Sequence, residues 1–202
     1  IGSSQKQAVD IRIVANTIGG SSPSDYVGMT GIALRNILDA TIERNTLSGI
    51  GLSWADIALK WGISGIEIIG VADNVQISKN VICLILSDYS RNRVVAYAIG
   101  IYLEGAGSIL IDNNIIHSIH GGDRAVGVYL RSSNAMLWHN SVGLADRGNV
   151  ATLKSLYFSA AVYSEGHSLL DLRNNAFSNG ITGPPGARSA TLVLNTTDVL
   201  RR

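Results

Sequence analysis

Apolar and polar positions alternate along this chain in short bursts, and the bursts recur. One pattern is apolar-x-x-Asn-x-apolar. It reads Ile13-Val14-Ala15-Asn16-Thr17-Ile18, Ile42-Glu43-Arg44-Asn45-Thr46-Leu47, Ile77-Ser78-Lys79-Asn80-Val81-Ile82, Ile111-Asp112-Asn113-Asn114-Ile115-Ile116, Leu137-Trp138-His139-Asn140-Ser141-Val142 and Leu172-Arg173-Asn174-Asn175-Ala176-Phe177. Successive asparagines lie 29, 35, 34, 26 and 35 residues apart. A second pattern, Gly-apolar-x-apolar, reads Gly31-Ile32-Ala33-Leu34, Gly65-Ile66-Glu67-Ile68, Gly100-Ile101-Tyr102-Leu103 and Gly127-Val128-Tyr129-Leu130, with a weaker copy at Ala161-Val162-Tyr163-Ser164. From its first residue to the next asparagine the distances are 14, 15, 14, 13 and 14 residues. Half of every repeat is therefore constant, and the variable remainder is an insertion at one corner.

Pairs such as Ile11/Ile13, Val75/Ile77, Ile109/Ile111 and Leu170/Leu172 have the period of two that a strand imposes. The bursts lack the three-and-four spacing of a helix. Repeats of this length call for a stacked architecture in which each unit buries its apolar face against the next. The prediction is all-β: a single-stranded right-handed parallel β-helix of about five to six coils, the hand following from the rule for parallel crossovers. Asparagine suits a corner because it tolerates left-handed backbone and because its amides can hydrogen-bond from coil to coil. Glycine before the other strand relaxes the backbone. The β-helix is expected over 1–182. Beyond it, Gly183-Pro184-Pro185-Gly186 interrupts the pattern, leaving a tail over 183–202 with room for one more strand at Ala190–Asn195.

The segments from Gly100 to Gly105 and from Ile111 to Ile116 resemble parallel β-helix repeats. That superfamily includes pectate lyases, polygalacturonases and many carbohydrate-binding and surface proteins. The resemblance covers about residues 10–180 and speaks for the fold rather than for an activity. It implies an extracellular or cell-surface setting. The chain itself has no signal peptide and begins at Ile1 rather than Met, as a processed or excised piece would.

The long loops are expected to project from one side of the rod as a wall. In one of them Ser53 and Asp56 form a capping box, and Trp54, Ile57, Ala58 and Trp61 share one face of a short helix. Trp54 and Trp61 either pin that helix to the solenoid or offer a sugar-stacking platform. Each loop carries an aspartate: Asp25, Asp56, Asp88, Asp123 and Asp146. A stacked row of carboxylates is a possible Ca2+ site, although aspartate also favours turns for local reasons. Asp88, Arg91, Arg93, Asp123 and Arg124 are the candidates for acid–base or substrate-carboxylate roles. His117, His120 and Asp123 are the candidates for a metal. Tyr102, Tyr129 and Tyr163 share one register and should form an outward ladder, either a polysaccharide platform or simple coil-to-coil stacking. Beside them Glu104, Arg131 and Glu165 alternate in sign.

Composition narrows the partners. Of 202 residues, 15% are charged and the net charge is +1, so no basic stripe for nucleic acid is present. No apolar run reaches the length of a transmembrane helix. The single cysteine, Cys83, excludes an internal disulfide. The grouped-Asp and Gly-His-Gly motifs of polygalacturonases are missing; His167 stands in Glu165-Gly166-His167-Ser168. The Arg-centred lyase motif, the Walker loop and the Gly-x-Ser-x-Gly elbow are missing too. The expectation is a non-catalytic module that binds polysaccharide or a protein partner, as part of a larger protein or assembly. The alternatives are a polysaccharide lyase or glycoside hydrolase acting on an acidic polysaccharide, and a purely structural segment that assembles end to end or laterally through uncapped coils.

Overall fold

The computed structural model describes residues 8–51, 62–87, 97–145, 158–166, 168–181, 186–194 and 199–201. A partial winding comes first, β1 (Ala8–Val14) and β2 (Thr17–Ile18). Then β3 (Thr30–Glu43) bends across two faces before β4 (Thr46–Gly51) forms the third, and β5 (Ile63–Ser78) and β6 (Val81–Ser87) repeat that course. From there each face has its own strand. One winding is β7 (Tyr97–Glu104), β8 (Ile109–Asp112) and β9 (Ile115–Gly121). The next is β10 (Arg124–Arg131), β11 (Ala135–Trp138) and β12 (Ser141–Ala145). It is followed by β13 (Phe158–Glu165), β14 (Leu169–Arg173) and β15 (Ala176–Gly180). β16 (Arg188–Val193) and β17 (Val199–Arg201) continue the sheets by pairing with β13 and β14.

Every strand pair is parallel, and the strands form an eleven-stranded and a six-stranded sheet. The chain is a parallel β-solenoid, as its repeats predict. About four turns close fully, and partial windings bring the passes of the smaller sheet to six. The one helical element among the described residues is the 3-10 turn Pro23–Asp25. The helix expected around Trp54 and Trp61 lies outside the described residues.

The core is built from vertical columns. On the first face Ile32, Ile66, Ile101, Val128 and Val162 stack in register. On the third, Leu47, Ile82, Ile116, Val142 and Phe177 do so. Ser164 interrupts a neighbouring column by pairing with Leu130 while almost fully buried.

At the corner between the second and third faces the asparagines line up. The Oδ1 of Asn45 accepts the Nδ2–H of Asn16 at 3.0 Å and its backbone N–H at 2.9 Å. The same double bond links Asn45 to Asn80, Asn80 to Asn114, Asn114 to Asn140 and Asn140 to Asn175. The second amide hydrogen reaches back to a main-chain carbonyl, as from Asn80 to Ile42 at 2.9 Å and from Asn114 to Ile77 at 2.8 Å. Asn80 and Asn114 are 0% exposed, so an unmade bond here would stay unmade.

The left-handed residue is not the ladder asparagine but the one before it. Ala15, Arg44, Lys79, Asn113, His139 and Asn174 have φ of 51 to 58°. None of them is β-branched, the class for which such a φ is hardest. This corrects the expectation that the ladder asparagine itself takes up the turn: its side chain is committed to the column, and its neighbour bends.

The repeat glycines also act differently from the expectation. Gly31, Gly65, Gly100 and Gly127 do not have positive φ. They are needed for space, since a Cβ on Gly100 would lie 2.5 Å from the Gly127 carbonyl oxygen and 2.6 Å from Ile116 Cγ2. First-face backbone here touches third-face side chains directly.

Two outcomes follow for stability. Asn114→Ala strands two donors on Asn80 and takes one of two donors from the Asn140 carboxamide oxygen, so it should cost about 3 kcal/mol or more in urea unfolding, whereas Asn113→Gly should change stability by less than about 0.5 kcal/mol. Gly100→Ala should cost about 2 kcal/mol by overpacking, against no measurable change for Gly28→Ala, where nothing lies within 4 Å of the added carbon.

Candidate functional site

The outward side of the first face carries the densest cluster of chemically distinctive side chains. β7, β10 and β13 pair in register, so Tyr102, Tyr129 and Tyr163 occupy one position on three successive windings. They belong to an apolar cluster outside the main core, with Ile99, Val126, Tyr97 and Phe158. The outward orientation is as expected, but the ladder is not face-to-face. Tyr102 meets Tyr129 with ring centroids 5.2 Å apart and planes at 76°, and Tyr129 meets Tyr163 at 5.0 Å and 74°. This edge-to-face order suits the ring quadrupoles. It leaves Tyr129 only 7% exposed, with the half-buried Tyr102 and Tyr163 to either side.

The next register is a rail of charge. Arg131 bridges Glu104 at 3.3 Å and Glu165 at 3.2 Å. Tyr102 donates its hydroxyl to Glu104 at 2.8 Å, and Tyr163 donates to Glu165 at 3.3 Å. One winding earlier, Glu67 stands in the tyrosine register and pairs with Arg35 at 3.5 Å. Burial, reinforced by the neighbouring carboxylates, holds the Tyr102 and Tyr129 phenols far above the ordinary value of 10.0.

The remaining candidates divide by position. Asp123 lies in the two-residue link from β9 to β10, not in a long loop. Burial raises its carboxyl, opposed by Arg124. The Arg124 guanidinium stands over Tyr97 at 4.7 Å and Phe158 at 5.9 Å. Asp25 sits in the 3-10 turn before β3, three windings from Asp123 and so about 14 Å away along the axis. Those two carboxylates do not share an ion. Asp56, Asp88, Arg91, Arg93, Asp146, Trp54, Trp61 and His167 lie outside the described residues. His117 is exposed and hydrogen-bonded to Ser118, while His120 is 6% exposed. Among the described residues no group of three or more His, Cys, Asp or Glu side chains is placed to hold a metal ion, and no helix is long and apolar enough to cross a membrane.

A second polar surface was not foreseen from the sequence. Arg173 grips Asp171 through 2.9 and 2.7 Å contacts and stacks over Trp138 at 5.0 Å. His139 contacts Asp112 at 3.1 Å. A shallow groove beside them is lined by Ser108, Asn134, Met136, Leu169 and Asp171. The signal was the alternation of β11 and β14, which puts Met136, Trp138, Asp171 and Arg173 on the outside.

No protein-family profile matches the chain, and neither a curated protein nor a solved structure shows significant similarity to it. The likeness to β-helix proteins therefore rests on repeat architecture.

The phenols make a pH prediction. Their folded pKa lies above the unfolded one, so the stability they contribute is intact below about pH 10 and is lost as pH rises beyond it. Of the seven tyrosines, the share of the tyrosinate absorbance that Tyr102→Phe removes should appear only together with unfolding, and the same substitution should weaken the alkaline fall in the denaturation midpoint. Early, reversible tyrosinate formation that disappears in Tyr102→Phe would contradict the buried geometry.

Proposed function

We propose that this chain is a non-catalytic β-solenoid module, extracellular or at a cell surface, that binds polysaccharide along its first face. The observation that carries the reading is the outward tyrosine row with a charged rail one register away, repeated at the same height on successive windings. Aromatic rings supply apolar contact for sugar faces, and fixed polar groups beside them supply orientation. A chain lying along the solenoid axis meets both rows for their whole length. The proposed setting and ligand class also draw on the resemblance of the repeats to carbohydrate-handling β-helices.

The enzymatic alternative, a lyase or hydrolase, has Asp123 and Arg124 as its described candidates. They support it less well: Arg124 is occupied by two aromatic rings, and no second described carboxylate shares its surroundings with Asp123. A protein partner or end-to-end assembly remains the reading for a face that takes no sugar.

Affinity electrophoresis against a polysaccharide panel, with and without calcium, tests the proposal. Retardation without product is expected. Tyr102→Ala with Tyr163→Ala should weaken it about tenfold, the loss of roughly 1.4 kcal/mol of ring contact, with cooperative unfolding retained. Unsaturated or reducing-end products would move the assignment to an enzyme. Neither binding nor products would leave a structural segment.

A further inference from the structure

The polar groups around the tyrosines also select among ligands, an inference that rests on the binding reading above. Three carboxylates, Glu67, Glu104 and Glu165, border the tyrosine row. The two guanidiniums in the same pair of registers are both engaged, Arg35 with Glu67 and Arg131 with Glu104 and Glu165. Three negative and two positive charges leave these two registers at −1, with Arg124 outside them. The phenolic hydrogens are committed as well, to Glu104 and Glu165. What the face offers a ligand directly beside the rings is lone pairs, carboxylate oxygens and phenol oxygens; the outer N–H groups of Arg35 stand two windings from Tyr102, at the far end of the rail. The Arg124 guanidinium stands five residues along the strand from the tyrosine register, over the Tyr97 and Phe158 rings.

We infer that the first face is specific for polysaccharides whose ring substituents donate hydrogen bonds, either hydroxyl or ammonium, and that it rejects polyuronates and sulfated chains. A ligand carboxylate would meet Glu104 and Glu165 with the guanidinium between them, Arg131, already shared by both, and with Arg124 held over Tyr97 and Phe158. Like charges at contact distance disfavour binding. A hydroxyl-rich chain completes the acceptors it finds, and an ammonium makes the stronger charge-assisted bond.

The probes are a soluble neutral β-glucan, a chitosan oligosaccharide and polygalacturonate, each titrated at low and at physiological ionic strength against the wild-type chain, the Tyr102→Ala/Tyr163→Ala variant and a Glu104→Gln/Glu165→Gln variant. The glucan arm isolates hydroxyl donation, and the chitosan arm adds the ammonium. The expected result is tyrosine-dependent binding of both and none of polygalacturonate. In the glutamine variant chitosan should weaken about tenfold, the margin of a charge-assisted over a neutral hydrogen bond. Glucan should change less than about threefold, and polygalacturonate should begin to bind. Cooperative thermal unfolding of the variant certifies its fold. Tyrosine-dependent binding of polygalacturonate to the wild type, at or above the glucan affinity, would overturn the specificity while leaving the binding face in place. Absence of tyrosine-dependent binding to all three probes would overturn both. A glutamine variant that binds chitosan as the wild type does would remove the carboxylates from the account.

Discussion

A buried carboxamide must find two acceptors and offer its oxygen to donors, and in this protein every such requirement is met by the winding above or below. Asn45, Asn80, Asn114 and Asn140 are sealed from water, and each is bonded to the next asparagine and to a main-chain carbonyl. The column is intolerant of slippage, because a shift of one residue would leave several buried donors unmade at about 1–3 kcal/mol each. It also outweighs a real local cost. Each preceding residue takes left-handed backbone, a strain of roughly 1–2 kcal/mol per non-glycine residue. The polypeptide accepts this at every turn of that corner because the bend is what aims the amide down the column.

With register held at that corner, the rest of the winding is free to vary in length. The asparagine intervals range from 26 to 35 residues, yet the strands on all three faces stay aligned. Loop closure costs grow slowly with length, so insertions between the third and first faces are tolerated without disturbing the columns. The same alignment brings Tyr102, Tyr129 and Tyr163 edge to face and puts Arg131 between two glutamates. Exposed ion pairs of this kind contribute little stability. Their importance is positional: they decide which polar groups the face still has to offer.

The columns were legible because they follow periods. Inward Ile, Leu and Val, and the asparagines themselves, could be aligned from spacing alone, and the coordinates put them in the predicted stacks. What was not legible depended on atoms rather than on spacing. The left-handed corner residues are Ala, Arg, Lys, Asn, His and Asn, a set with no shared chemistry for a pattern to detect. The repeat glycines read as flexible, yet their reason is the third-face side chains across the narrow interior, which no one-dimensional pattern contains. Ring tilt at the tyrosines was equally invisible, whereas the Trp138–Arg173–Asp171 cluster left only the outward alternation of β11 and β14, because its members come from two windings and are not repeated.

Ring tilt changes what the tyrosine row can bind. Edge-to-face packing turns the middle ring, and Tyr129 fills the space between its neighbours while Tyr102 and Tyr163 keep exposed area. The available aromatic contacts are therefore spaced by two windings, about 10 Å, rather than by one. Glu104 and Glu165 have the same two-winding spacing, because each accepts the hydroxyl of its own tyrosine. Ring and carboxylate thus recur as a unit, with Arg131 as the bridge between units. On the proposed binding reading, a ligand that matches this face must itself repeat at that distance, and a compact or branched sugar would engage only one of the two units.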